Sequence, residues 1–514
     1  MKRWFAVIGC MLAVAACSDQ TQPAAPRPQA DLLGQLVVKI PPLSGVVALP
    51  SAATNGGGGE ALLIPAPAWP PGTVGANVVM NQDNSTRPQN ETAIALDPGN
   101  PNRLLSGAND YRNGDSQCGV YGSRDGGATW NDVGTGTLVF GPANGDPSTA
   151  FGPTGEAYYT CMTFTRGPIS NASSAIAVSR STDLLTITFR GVVIVTLLGG
   201  SDVTFGYFND KPFTATDTRS GSPHQGRIYV TWTQFKYTRV PELYVESPIL
   251  LSYSDDGGAT WNGPHAVTTP TLNWDQGSVP AVGPNGEVYV AFENYNTPGA
   301  TNQIMVATSL DGGNTFSTPV KVGDIIEVCD HRETDGSCAL KNSHYRVNSF
   351  PSIATCGSGN VHVVWGDYRS GNADVLLSNS ADGGQTWDSP IIVNSDQTTA
   401  DQFFPWIAGA EGGALQVAFL QRDDAPGNRL LNTWLSTSFD NGVSFEAQLL
   451  VSSGPSDPIH DGFRGQFIGD YIGVAASANA AHPAWTDTRG LGCAGKPGCT
   501  PNADAVTATI SFSP

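Results

Sequence analysis
One eight-residue phrase recurs along this chain and limits its fold more than any other feature. It reads Ser123–Trp130 (SRDGGATW), Ser254–Trp261 (SDDGGATW), Ser309–Phe316 (SLDGGNTF), Ser380–Trp387 (SADGGQTW) and Ser438–Phe445 (SFDNGVSF), with a worn copy at Ser181-Thr182-Asp183. Each residue type suits a tight strand–turn–strand connection. The Ser and Asp side chains can hydrogen-bond the turn backbone. The Gly pair takes positive φ at low steric cost. The closing aromatic re-enters the sheet and buries a large apolar area. One copy would be an ordinary hairpin; five good copies predict a repeat architecture.

Two further phrases precede each octet. The first is extended, with Pro and small residues: Val279-Pro280-Ala281-Val282, Phe350-Pro351-Ser352-Ile353, Phe404-Pro405-Trp406-Ile407. The second alternates polar and apolar residues, as in Gly226–Trp232, Gly286–Phe292 and Asn360–Trp365. Such alternation between turn signals, with little helical periodicity, predicts an all-β chain. The two phrases occur seven times, the last around Tyr471–Ala476 and His482–Trp485. That copy lacks an octet and a fourth strand after it. Asn77–Asp83 reads like the strand that follows the fifth copy, so it is expected to complete the last unit and close a ring. Closure removes exposed sheet edges.

The octet resembles the Asp-box (BNR) repeat of sialidases and related β-propellers, over the stretch from about Val78 to the end of the chain. The resemblance implies an all-β, sialidase-like propeller. Seven repeats predict seven blades; six, the usual number in sialidases, is the alternative. The expected organisation is a signal peptide at 1–17, a Pro/Ala/Gly-rich tether at 18–75 and the propeller at 76–514. Met1-Lys2-Arg3 and the apolar run that follows read as a secretory signal, too short to span a bilayer. Val14-Ala15-Ala16-Cys17 resembles a bacterial lipobox, which makes Cys17 the expected lipidated residue and the protein an exported lipoprotein.

A net charge of −19 argues against a nucleic-acid partner. In an oxidising compartment Cys329 with Cys338, and Cys493 with Cys499, are the expected disulfides, and Cys118 could pair with Cys161. Cys356 is left over. No Cys/His spacing suggests zinc, so no metal site is assigned.

Strand parity indicates where function should lie. In a four-stranded meander the octets share one face with the turns between first and second strands. Functional residues should occupy the other. There the loops after the second strands repeat an acid and an arginine: Asp110-Tyr111-Arg112, Asp367-Tyr368-Arg369, Arg422-Asp423 and Asp487-Thr488-Arg489. Four guanidiniums from contiguous blades could grip a carboxylate through bidentate hydrogen bonds; equally, Asp-x-Arg could be a strand-end pair. Sialidases hold their substrate carboxylate with an arginine triad, so the resemblance implies this role for Arg112, Arg369, Arg422 and Arg489. A sialidase also carries Arg-Ile-Pro before its first octet. Here only Arg239-Val240-Pro241 is similar, and it comes later in the chain.

Polar residues precede each first strand: Glu91, Asp146, Asp210, Gln276, Asn348, Gln402 and Gln466, with Asp275, Asp401 and Asp470 nearby. Such a ring could supply an acid with a raised pKa, hold a structural calcium through oxygen ligands, or simply be solvated. The family's Tyr nucleophile beside a Glu implies a catalytic set drawn from Asp470, Tyr471, Tyr345 and Glu91. Long insertions carry His331, His344 and His460 to the same face. The reading is an exported sialidase-like glycoside hydrolase (exo-α-sialidase type) acting on an acidic glycan. It requires no cofactor, touches membrane only through its lipid and is expected to be a monomer. The alternative is a non-catalytic propeller binding glycan or protein at the cell surface.

Overall fold
The computed structural model describes residues 72–512, apart from 84, 86, 137–140, 168–171, 198–203, 296–300, 357–358, 423–426, 428 and 494–501. The signal, Cys17, most of the tether, Asp423 and Cys499, and with it the expected Cys493–Cys499 pairing, lie outside the described residues.

Seven antiparallel sheets follow one another, each led by an innermost strand: Gln89–Leu96, Ala143–Phe151, Phe205–Thr216, Asp275–Val282, Ser352–Thr355, Gln402–Gly409 and Gly473–Ala476. The protein is therefore a seven-bladed propeller, and the six-blade alternative falls. Blades one to six are meanders of four consecutive strands, blade three adding the short strand Glu242–Glu246. Blade seven is assembled from both ends of the chain. Val78–Val79 pairs with Asp504–Thr507 as its outer strand, and Asn81 accepts from the Ala505 amide at 2.9 Å. Thr73–Val74 also pairs, with Ile510–Ser511. The ordered sheet thus takes in Thr73–Val74, a two-residue strand too short to leave a periodicity.

The blades pack through apolar residues on both faces of each sheet. Trp232, Trp365 and Trp485 recur at one place on the second strands and are fully buried. Truncating such a side chain to Ala costs about 3–5 kcal/mol. Their indole N–H groups need acceptors, and Trp365 and Trp485 donate to Asp367 and Asp487 at 3.2 and 3.1 Å. Cys118–Cys161 links blades one and two, Cys329–Cys338 closes a short hairpin, and Cys356 is a buried free thiol.

The octets form the turns into the outermost strands. In the copy at 380–387, Gly384 donates its N–H to Ser380 Oγ at 2.8 Å, while Thr386 donates N–H and O–H to Asp382 at 2.9 and 2.6 Å. Gly383 and Gly384 take φ of 72° and 81°, where a Cβ would be strained. The Gly126 amide of the first octet donates to Asn102 in the turn between the first two strands of its blade, so both turns share a face.

Candidate functional site
On the opposite face the innermost strands begin with a repeated irregularity. Their pairing skips between Asn90 and Ala93, Gly145 and Ser148, Asp210 and Phe213, Gln276 and Val279, and Phe403 and Trp406. These are β-bulges, which re-aim side chains where a ladder is interrupted. Pro147, Pro212 and Pro405 sit inside three of them, where a missing N–H breaks no ladder bond. The residue ahead of the skipped position has positive φ: Glu91 54°, Asp146 53°, Lys211 50°, Phe404 52°. For a non-glycine this costs of the order of 1–3 kcal/mol, and such strain gathers at functional sites.

The bulges bring charged groups together near the axis. Lys211 Nζ is bonded to Asp470 Oδ2 and stands 3.8 Å from Glu91 Oε1. Arg346 donates from Nε to Asp470 Oδ1 at 2.7 Å and from Nη2 to Oδ2, a bidentate grip. The Asp470 amide donates to Glu91 Oε1 at 3.1 Å, and Asn109 Nδ2 to Glu91 Oε2 at 2.6 Å. The Lys211 amide donates to Asp146. Glu91, Asp146, Asp210, Lys211 and Asp470 are all buried.

Burial pushes Asp470 upward, but Arg346 and Lys211 outweigh it and hold the carboxyl at about 2. Asp210 goes the other way. Burial and the neighbouring Asp146, opposed by Lys211, raise it to about 8. Burial also lifts Glu91 well above the carboxylate range, against Lys211 and with help from Asp146 and Asp470.

A pocket opens beside this cluster. Lys211, Arg346 and Asp470 form one wall; Glu293, Glu327 and Arg332 form another. Glu293 ends the second strand of blade four and is buried. Burial and the adjacent Glu327 drive its carboxyl well above the usual range, against hydrogen bonds from Tyr295 and Asn302. Asn302 Nδ2 reaches Glu327 Oε1 at 2.7 Å and Glu293 Oε1 at 3.5 Å, so one amide bridges both acids. Arg332 donates to the other Glu327 oxygen at 2.9 Å. One carboxyl is thus biased toward its protonated form beside another held by a guanidinium, an arrangement suited to donating and accepting a proton.

The expected site residues divide. Glu91, Asp470 and Tyr471 do come together: the Tyr471 ring lies 5.8 Å from Lys211 Nζ, and its hydroxyl donates to the Pro147 carbonyl at 3.2 Å. Burial, then Glu91, raises the Tyr471 phenol well above its ordinary range, which makes it a poor nucleophile. Tyr345 does not join them. Its ring stacks on Phe403 at 5.8 Å inside a hydrophobic cluster, because alternation turns it away from its neighbour Arg346.

The four-arginine grip is also corrected. Arg112 bonds Asp110 at 2.8 Å and Asp132 of its own outer strand at 2.7 Å. Arg369 bonds Asp367 at 2.7 Å and the Asp324 carbonyl of the preceding blade's outer strand at 2.6 Å. Arg489 bonds Asp487 at 2.6 Å, Ser453 at 2.9 Å and Asn77 at 3.1 Å. Arg422 is wholly buried against Asp401 and the Lys341 carbonyl. Each guanidinium is folded onto a buried carboxylate and, for the first three, onto an outer strand. Asp367 and Asp487, which also accept from the tryptophans, recruit Arg369 and Arg489, and Asp110, which accepts from Tyr121, recruits Arg112. Arg239 donates to the Phe205 carbonyl, in the sheet of blade three.

Lys211, Arg346 and Glu327 were missed from sequence. The available signal was a polar residue directly before the proline that recurs in the innermost strands; it marks Asp146 and Lys211.

No protein-family model matches the chain. Among solved structures, the chain is similar to a Hadza microbial sialidase, at 14% identity and TM-score 0.43, over 80% of this chain and 73% of that one. It is also similar to the GH93 α-L-arabinofuranosidase of Fusarium graminearum, at 12% and 0.41, over 85% and 98%. A third likeness is to the phage phi92 endosialidase, at 11% and 0.45, over 86% and 69%.

Proposed function
We propose that this propeller is an exported glycoside hydrolase acting on acidic glycans, an Asp-box relative of the sialidases, anchored through Cys17 and active as a monomer. The observation that carries the reading is the charge balance of the pocket. Lys211, Arg332 and Arg346 face Glu293, Glu327 and Asp470. Burial and Glu327 push the Glu293 carboxyl upward, so three cationic side chains face two carboxylates and one acid biased toward its neutral form, within a protein of net charge −19. A cationic pocket with a neutral carboxyl suits an anionic sugar whose leaving oxygen must be protonated.

In this mechanism Glu293 is the acid and Glu327, held by Arg332 and Asn302, is its carboxylate partner. The arginine triad of sialidases plays no part. Glu293→Gln should lower hydrolysis by about 10²–10⁴-fold while leaving substrate affinity within twofold. Activity should also fall as pH rises through the raised Glu293 value. The assay is turnover of sialosides, uronate and sulfated glycans by the purified protein; an E293Q variant with full activity would sink the assignment.

A second reading rests on the axial cluster, where Lys211 and Arg346 both spend themselves on Asp470. Such self-pairing suits a rigid, non-catalytic binding propeller. Measurable glycan affinity without turnover in the unmodified protein would select it.

A further inference from the structure
The insertion between blades four and five carries a second constellation that the pocket chemistry does not use. The disulfide Cys329–Cys338 closes a hairpin in which His331–Arg332 pairs with Cys338–Ala339. Beyond it the chain returns so that His344 faces the same spot. Glu333 Oε1 lies 3.2 Å from His331 Nε2 and 2.8 Å from His344 Nδ1. The ligand atoms of His331, Glu333 and His344 all lie within 4.8 Å of one another.

Two lines of geometry point to a cation. First, ligands about 2.0–2.1 Å from a tetrahedral zinc stand roughly 3.3 Å apart, and the two nitrogen–oxygen separations are close to that edge. Second, the far side of one imidazole is already engaged. His331 Nδ1 faces Asp330 Oδ2 at 3.4 Å. A carboxylate there favours the tautomer with its proton on Nδ1, leaving the Nε2 lone pair for the cluster; metal-bound histidines are oriented in this way.

We propose that His331 Nε2, His344 Nδ1 and Glu333 form a binding site for a zinc-class divalent cation, with Asp330 as the positioning carboxylate and water completing the coordination. Two imidazoles and one carboxylate suit borderline transition metals rather than calcium or magnesium, which prefer all-oxygen shells. The site sits on the pocket wall: Arg332 lies between two of its ligands, and Gly336, Ser337 and Cys338 line the pocket from the same hairpin. A bound ion would fix the loop that holds Arg332 against Glu327. Sequence reading placed His331 and His344 on this face, but positions 331, 333 and 344 follow no familiar ligand spacing, so Glu333 and the constellation itself were not visible.

The test is calorimetric titration of zinc sulfate into the full chain after EDTA treatment and dialysis. One zinc per chain is expected, with no heat from calcium or magnesium. H331A and H344A should each weaken binding at least tenfold, and Asp330→Asn about tenfold. His331 is half-buried and His344 exposed, so melting curves in EDTA should be unchanged. Should either alanine variant fail to fold, cobalt(II) added to the unmodified protein gives an independent readout through the strong visible bands of a four-coordinate site. Absence of stoichiometric zinc binding, zinc binding unaltered in the folded histidine variants, or a purely octahedral cobalt spectrum would each overturn the proposal.

Discussion
Asp311 on the octet face and Asp210 on the axial face are tuned in opposite directions. On the octet face Asp311 is exposed. What burial it has would raise its pKa, but Thr315 and Ser309 hydrogen bonds outweigh this and hold it at about 2. On the axial face burial raises Asp210 to about 8. An octet turn solves the same local problem in every blade, so its residues are copied. The axial positions all point toward one shared place, where copies of one charge would repel. Evolution there has to diversify, and the equivalent bulge positions hold Glu91, Asp146, Lys211, Gly277 and Phe404. Periodicity therefore marks the frame, and its breakdown marks the site.

The sharpest challenge to that contrast is Lys211→Met. It leaves Asp470 with Arg346 alone and Glu91 facing no cation, and breaking such a buried pair should cost about 3–5 kcal/mol. Urea denaturation measures it; a loss below about 1 kcal/mol would mean the axial cluster contributes no more than a surface turn.

Arg369→Ala comes next. It strips a buried Asp367 of its main donor, for an expected loss of about 1–3 kcal/mol. Glycan binding should not change. Lysine at this position should restore only part of the stability, since a point charge cannot reproduce the two-pronged contact. A binding defect at full stability would return Arg369 to the site.

The pH dependence of stability should separate Asp210 from Asp311 by sign. Asp210 is raised from an ordinary 3.8 to about 8, so its contribution is complete below pH 4 and is lost as pH rises toward 8. Asp210→Asn should flatten that part of the curve by up to one proton's worth of slope. Asp311 is lowered from 3.8 to about 2, so its contribution is complete above pH 4 and disappears as pH falls toward 2. Asp311→Ala should have the smallest effect, about 1 kcal/mol or less at neutral pH, and none near pH 2. Denaturation midpoints across pH 2–9 would show whether either slope has the wrong sign.

The frame was legible because octets and alternating strands repeat. Seven blades and the closing role of Val78–Val79 follow from counting phrases and noticing one left over. The site was legible only in part. Parity found Glu91, Asp470 and Tyr471. It missed Lys211, because a bulge inserts a residue and shifts which side chain faces the axis. Arg346 was passed over for its neighbour Tyr345, although adjacent residues of an extended segment point opposite ways. The Asp-x-Arg repeats misled for a different reason. Whether a guanidinium reaches outward or folds onto the acid two residues back depends on what else that acid must satisfy, and the indole partners of Asp367 and Asp487 become visible only in three dimensions.

Blade seven has a consequence for how the molecule is made. Asn81 and Asp504, 423 residues apart, meet at 3.1 Å across its outer seam. Contacts of such sequence separation form late, although the entropy of closing so long a loop grows only logarithmically with its length. The earliest strands to be synthesised therefore wait for almost the last. Until Asp504–Thr507 emerges, Val78–Val79 has no ladder to join, and blade one presents an open flank. A nascent chain is thereby kept from locking into its final shape until synthesis is almost complete. Any product truncated before Asp504 lacks its latch and remains open to proteases.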